Sequence, residues 1–280
     1  MRGIRSGVAV STLNRGGVSW LEFPGLGPGT DLVQACSTRL GGVSEGSLAG
    51  LNLHYRVGDK PMRVRENRDL LCSDLGVDPR RLTTVNQVHG GKVVRVAAGD
   101  AGRGAQDDPL EDADALLTNV PRVPILIQTA DCLPILFYDP VKKVVGLAHA
   151  GWKGTVLGIG AKTLRAMEGD YGSNPGDVRA AFGPCIGACC FEVGEEARGP
   201  FVKAFEWADE VFRRGFGERW HLDLEAANAR QLLDAGIPEK NLIRPGICTT
   251  DNLDMFYSHR VEAAGGGKTG RFGSILMLKG

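Results

Sequence analysis

The chain carries five histidines and seven cysteines, and three of these residues stand where zinc could use them. His89 and His149 close predicted strands and are followed by Gly90-Gly91 and Ala150-Gly151. Cys132 marks a third strand boundary, in Gln128-Thr-Ala-Asp-Cys-Leu-Pro. Strand ends are where loops converge on one rim of a sheet. Imidazole and thiolate are donors that zinc prefers, and a catalytic zinc takes three protein ligands and keeps a fourth position open. Cys132 lies 43 residues after His89 and 17 before His149, intervals that match neither CxxC nor HExxH. By residue type and spacing alone, two readings stay open. One is a metal site; the other is two satisfied polar histidines and a thiol packed as a small hydrophobe.

Other residues could serve such a centre. Asp131 adjoins Cys132 and is a catalytic candidate that would orient a ligand histidine or move a proton, or else cap a strand end. Lys153 follows His149 by four residues and precedes a predicted helix start. There it would bind phosphate with help from the N–H groups of Gly154 and Thr155, or else stay solvated. Arg39 in its glycine loop, Asn52, and Gln87, which would share a strand face with His89, are substrate-binding candidates. His259 and Arg260 would join the same rim. Trp152 is either a core anchor or a wall for stacking a base. Cys185, Cys189 and Cys190 look like a zinc knuckle. No second CxxC or histidine pair completes a closed site, so they are read as packing cysteines.

The elements that must position these residues are legible in outline. Four short apolar runs, Ala113–Thr118, Val123–Gln128, Leu133–Tyr138 and Lys143–His149, read as buried strands. Asp139-Pro140 punctuates the last two as a tight turn. Leu82–His89 and Lys92–Ala97 read as a hairpin about Gly90-Gly91. Leu32–Thr38, Val178–Phe182, Leu242–Ile247 and Ser274–Leu278 are further strands, and residues 1 to about 30 a strand or two with turns. Helices are expected over Arg63–Leu75, Thr155–Met167, Glu195–Phe212 and Leu224–Ala235. Strands and helices interleave, yet hairpins are frequent. The expectation is a layered α/β fold with mixed β-sheets flanked by helices, in a single compact domain spanning 1–280.

Composition bounds the function. Lys+Arg and Asp+Glu are both 33, so there is no basic footprint for nucleic acid or an anionic membrane. The apolar stretch near the N-terminus is too short for a secretory signal, and no run of about 18 apolar residues occurs. A cytoplasmic protein is expected, with its cysteines as thiols or metal ligands rather than disulfides. The 40 glycines cluster beside ionisable residues, as in a site assembled from loops.

The segments Asn86-Gln-Val-His-Gly, Asp112-Ala-Asp-Ala-Leu-Leu-Thr-Asn, Thr129-Ala-Asp-Cys-Leu-Pro and Leu147-Ala-His-Ala-Gly-Trp-Lys-Gly-Thr resemble the laccase-domain family. Its members carry the names polyphenol oxidase and purine nucleoside phosphorylase. The flanks agree, from Ser37-Thr-Arg-Leu-Gly-Gly-Val-Ser through Gly183-Pro-Cys-Ile-Gly-Ala-Cys-Cys-Phe-Glu-Val-Gly to Phe256-Tyr-Ser-His-Arg and Thr269-Gly-Arg-Phe-Gly. The resemblance covers roughly residues 31–278 and little of the first 30. It implies zinc ligation by His89, Cys132 and His149. It also implies phosphorolysis of adenosine, inosine and S-methyl-5'-thioadenosine, with deamination of adenosine, so that the partners are purine nucleosides and phosphate. A laccase-like copper oxidase is the alternative, but its copper sites need on the order of ten imidazoles, more than this chain has. A third reading is a cysteine-type hydrolase or amidase with Cys132 as nucleophile, since a branch of the family is implicated in editing peptidoglycan precursors.

Overall fold

The four central apolar runs are strands whose every residue is buried. Side chains alternate between the faces of a strand, so a run apolar at every position needs cover on both sides. Leu136, Tyr138, Val145 and Leu147 enter one core, and Ile135, Phe137, Val144 and Ala148 enter another. The computed structural model describes residues 11–15, 17–27, 29 and 31–280. In chain order the strands are β1 (Ser11–Arg15), β2 (Val18–Glu22), β3 (Leu32–Ser37), β4 (Val93–Arg95), β5 (Ala115–Thr118), β6 (Ile125–Thr129), β7 (Leu133–Asp139), β8 (Val144–Ala150), β9 (Arg179–Phe182), β10 (Glu192–Val193), β11 (Phe212–Arg214), β12 (Trp220–Leu222), β13 (Leu242–Ile243) and β14 (Phe272–Leu278). The helices are α1 (Pro61–Leu75), α2 (Trp152–Val156), α3 (Ile159–Tyr171), α4 (Glu195–Ala204), α5 (Leu224–Asp234) and α6 (His259–Glu262).

A five-stranded antiparallel sheet, β1-β2-β3-β14-β6, faces a six-stranded mixed sheet, β13-β9-β7-β8-β5-β4. The core between them joins Phe23, Ile125, Ile127 and Phe272 to Leu116, Leu136 and Leu147. Helix α1 covers the outside of the first sheet. Its buried residues Val64, Asn67, Arg68, Leu71 and Cys72 follow the i, i+3, i+4, i+7, i+8 spacing of one helical face. It starts at Pro61 and stops at Gly76, whose φ of 68° suits a C-terminal cap. Helices α3 and α5 cover the outside of the second sheet through Ile159, Leu164, Met167, Ala229 and Leu232. The small sheet β10-β12-β11 packs with α4 around Phe201. The layers are thus helix, sheet, sheet, helix: a mixed α/β fold in one compact domain. No helix among the described residues is long and apolar enough to cross a membrane.

Several boundaries differ from expectation. Residues 82–97 form no hairpin. Thr83 and Asn86 make parallel bridges to Ile125 and Asp112, and β4 lies parallel to β5. Parallel neighbours supplied by other strands replace the hairpin partner. The helix expected over 195–212 ends at Ala204, because Phe205 turns extended and stacks on Trp207 at 4.5 Å. Phe212 then packs against Phe201 from a strand, so a turn and a strand satisfy the apolar spacing of a longer helix. The helix expected from Thr155 is two pieces, α2 and α3, broken at Gly158 with φ 71°. The strand expected over 242–247 is the two residues of β13. Within 1–30, β1 and β2 are the expected strands, while residues 1–10 lie outside the described residues.

Candidate metal centre

The period of two that buries Val145 and Leu147 on one face of β8 places His149 on that face at the strand's end, where it is 3% exposed. Beside it, just ahead of β5, lies the fully buried Asp114. A buried carboxylate is stable only when paired and hydrogen-bonded. Asp114 accepts from His149 Nδ1 at 2.7 Å, from the N–H of His89 at 2.9 Å, from that of Gly90 at 2.5 Å and from that of Val88 at 3.3 Å. One carboxylate therefore orients the ring of one histidine and the backbone of the other. With Nδ1 of His149 committed as a donor, Nε2 is left to ligate.

Cys132 Sγ lies 3.8 Å from His89 Nε2, and the two imidazoles meet edge to face with centroids 4.7 Å apart. The three donor atoms all lie within 4.8 Å of one another. Sulfur and nitrogen at ordinary zinc distances on a tetrahedron are separated by roughly 3.6 Å, so the set fits a single zinc ion. Two non-glycine residues flank it in the left-handed region, His89 at φ 59° and Asp131 at φ 82°. Each costs about 1–3 kcal/mol, held in place by the bonds around it. Gly151 supplies the room: a Cβ there would sit 2.9 Å from Cys132 Sγ and 3.1 Å from the His89 ring.

The charges are coupled. Burial opposes ionisation of Cys132, but His149 and His89 outweigh it and bring the thiol down to about 6. Burial likewise opposes protonation of His149, yet the Cys132 thiolate and Asp114 raise it to about 9. Burial works against the Asp114 carboxylate too, and His149 with the backbone N–H groups still holds it below its ordinary value. Without metal, the two shifts run in the directions that favour a thiolate beside an imidazolium.

His89 and Cys132 open onto a cavity of about 360 Å³. Trp152, Ile186, Phe191 and Leu224 form an apolar wall, and Lys153, His259 and Arg260 bring polarity. Lys153 is exposed with its ammonium 5.5 Å from the Trp152 ring, and among the described residues it has no ion-pair partner. The Thr155 N–H expected to assist it is spent inside α2 on the Gly151 carbonyl. Asp131 lines the cavity, but its carboxylate accepts from Thr249 Oγ1 at 2.6 Å, Ser258 Oγ at 3.1 Å and the Arg260 N–H at 2.6 Å. It binds loops together, and the carboxylate that contacts a histidine of the donor group is Asp114.

The three expected substrate binders lie off this cavity. Arg39 is ion-paired with Glu262 at 2.7 Å and lies over the Tyr257 ring, tying the glycine loop to α6. Asn52 is fully buried and bonded to Asp59, to the His54 carbonyl and to the Arg271 N–H. Gln87 spends both ends of its amide on the Gln128 backbone, at 2.8 Å each. These polar groups build the walls, because loops without ladder partners need side chains to satisfy their backbones. Asp114 went unassigned in the sequence reading. Its signal was an acidic residue at the head of an apolar strand, which burial obliges to have partners.

The model of the multi-copper polyphenol oxidoreductase laccase family matches residues 33–279. The purine nucleoside phosphorylase of Deinococcus radiodurans is 41% identical over 264 residues, covering 92% of this chain and 95% of that protein. Adenosine deaminase RL5, from an unknown prokaryotic organism, is 36% identical over 243 residues, covering 85% of this chain and 92% of that protein. The crystal structure of YlmD from Geobacillus stearothermophilus superposes with a TM-score of 0.90 at 32% identity, covering 98% of this chain and 100% of that one.

Proposed function

The chain belongs to the multi-copper polyphenol oxidoreductase laccase family, and from that premise we propose that it is a zinc-dependent purine nucleoside phosphorylase that also deaminates adenosine. The observation that carries this reading is one Cys/His₂ donor set opening onto an apolar-walled cavity edged by Lys153 and Arg260. The relatives named purine nucleoside phosphorylase and adenosine deaminase support the substrate class. The family's copper name is not supported by the donor set. A multicopper cluster needs on the order of ten imidazoles, and this group contains His89 and His149 alone.

His89, Cys132 and His149 would hold the zinc. Bound there, zinc supplies Lewis acidity, which makes water more acidic or polarises a substrate oxygen. Trp152 and Phe191 offer faces for a purine, and Ile186 and Leu224 keep water from it. Lys153, with Arg260 across the same cavity, supplies positive charge for phosphate attacking C1′ of the ribose. Asp131 is a positioning residue, holding the Arg260 backbone and the start of α6. Adenosine, inosine and S-methyl-5'-thioadenosine are the expected substrates.

Incubation with adenosine and phosphate, followed by chromatography, should yield adenine and ribose 1-phosphate, with inosine from parallel deamination. Phosphate-independent oxygen uptake with phenols, and no purine release, would overturn the reading. A covalent adduct on Cys132 in zinc-free, fully active protein would instead identify a cysteine hydrolase.

A further inference from the structure

The cysteines of the Gly183–Gly194 segment find partners far along the chain. Backbone hydrogen bonds from Cys185 to Ile247 at 3.1 Å and from Thr249 to Cys185 at 3.0 Å lay the two segments side by side. This brings Cys248 and Asp251 against Cys189 and Cys190, and the four donor atoms lie within 4.8 Å of one another. Cys189 Sγ is 3.6 Å from Cys248 Sγ and 3.4 Å from Cys190 Sγ. The Asp251 carboxylate is 3.3 Å from Cys189 and 3.6 Å from Cys190.

Zinc on a tetrahedron separates two sulfurs by roughly 3.8 Å, and a sulfur from a carboxylate oxygen by roughly 3.6 Å. The four spacings lie close to those edges. Two further features show that the space is kept open and that a sulfur in it has hydrogen-bonding neighbours. A Cβ on Gly187 would sit 3.1 Å from Cys189 Sγ and 3.3 Å from Cys248 Sγ, so glycine leaves the sulfurs room to converge. The Gly187 N–H also points at Cys248 Sγ at 3.2 Å, and Thr250 Oγ1 lies 2.9 Å from the same sulfur. Hydrogen bonds of this kind offset the negative charge of a metal-bound thiolate.

We propose that Cys189, Cys190, Cys248 and Asp251 form a second metal site, closed by four protein donors and suited to zinc. A closed site is structural rather than catalytic. Its donors are distinct from those of the first centre, yet it reaches that centre through one residue. Thr249, beside Cys248, donates to Asp131, beside Cys132, at 2.6 Å. The second ion would pin the wall on which Asp131 leans.

Protein purified under reducing conditions without chelator, from zinc-supplemented medium, should contain about two zinc ions per chain by elemental analysis. Cys132→Ala should keep one of them. The double variant Cys189→Ser, Cys190→Ser should also keep one, and combining all three substitutions should leave none. Cobalt titration of unaltered metal-free protein needs no variant: thiolate-to-cobalt absorbance should rise through about two equivalents. The inference is overturned if Cys132→Ala abolishes all bound metal, if the double variant matches wild type, if cobalt saturates at one equivalent, or if mass spectrometry finds Cys189 in a disulfide. A single zinc that disappears with Cys132→Ala refutes the second site while leaving the first intact.

Discussion

The two ring nitrogens of His149 have separate duties in the proposed centre: one faces Asp114, and the other would face a metal. Asp114→Asn keeps the shape but removes the charge, and zinc affinity should fall about 10- to 100-fold in competition with a chromophoric chelator. Cys132→Ala or His149→Ala should lose most of the first-site zinc, and stoichiometric copper there instead would sink the zinc assignment. Gly151 has an ordinary φ of −73°, so Gly151→Ala tests space alone. Its methyl would press on Cys132 Sγ, and first-site zinc should drop while circular dichroism stays native. Lys153→Ala should keep zinc at the wild-type level and raise the phosphate KM or slow phosphorolysis by about 1.5–3 kcal/mol, the worth of one charged hydrogen bond. Deamination should suffer less. Equal loss in both reactions would show that Lys153 does not handle phosphate. The pH behaviour follows from the coupled pair. His149 is raised to about 9, so its stabilising charge is complete below its ordinary 6.5 and lost as pH climbs past 9. Cys132 is lowered to about 6, so its contribution is complete above its ordinary 9 and lost as pH falls through 6. In between, a zinc ion bound there would have to displace the proton on His149. Calorimetry in buffers of different protonation enthalpy should register release of about one proton per first-site zinc at pH 7.5.

Helix α2 is too short to stand alone, and α5 holds it. Asn228 donates to Thr155 Oγ1 and Gln231 to the Thr155 carbonyl, both at 2.9 Å. Gln231→Met keeps the volume and removes the second bond. It should cost about 1 kcal/mol in stability by denaturant titration, and it should weaken phosphate binding without loss of zinc. Retention of wild-type phosphate KM would show that α2 is held by packing alone. This is also the scale at which sequence and structure part company. The central strands were legible because their continuous apolar runs admit little besides burial on both faces. His89, Cys132 and His149 were legible as donor types beside strand ends. The parallel pairing on either side of Gly90-Gly91 was not, since a glycine pair marks a turn without saying which strand lies alongside. Arg39 in its glycine loop, Asn52, and Gln87 on a strand face expected to be shared with His89 read as substrate binders because a polar side chain reads the same in sequence whether it faces a ligand or satisfies a neighbouring group. Cys248 and Asp251 lie some 60 residues from Cys189, beyond any local motif.

For the molecule as a whole, a metal held by this donor set would tie separate parts of the sandwich. Cys132 sits between β6 of one sheet and β7 of the other, His149 is the penultimate residue of β8, and His89 precedes β4. A ligand held hundredfold above its Kd stabilises the native state by about 2.7 kcal/mol. At this chain length each kcal/mol moves Tm by roughly 2–4 °C. Chelation should therefore lower Tm by several degrees in scanning calorimetry, and zinc should restore it. An unchanged Tm would mean that the donors hold their places without the ion.

The position of β14 bears on how the chain is made. The last strand in sequence is an inner one, paired with β3 on one side and β6 on the other. While a ribosome is still adding residues before Phe272, the first sheet has a vacant slot, flanked by two long apolar strands with unsatisfied backbone groups. Such edges recruit any extended segment that passes. The nascent chain should therefore be sticky until residues 272–278 have emerged, and the first sheet should close only then. Chains stalled at residue 270 should be captured by holdase chaperones and remain protease-sensitive, whereas those released after residue 278 should become resistant; early resistance in the stalled chains would show that the sandwich closes without β14.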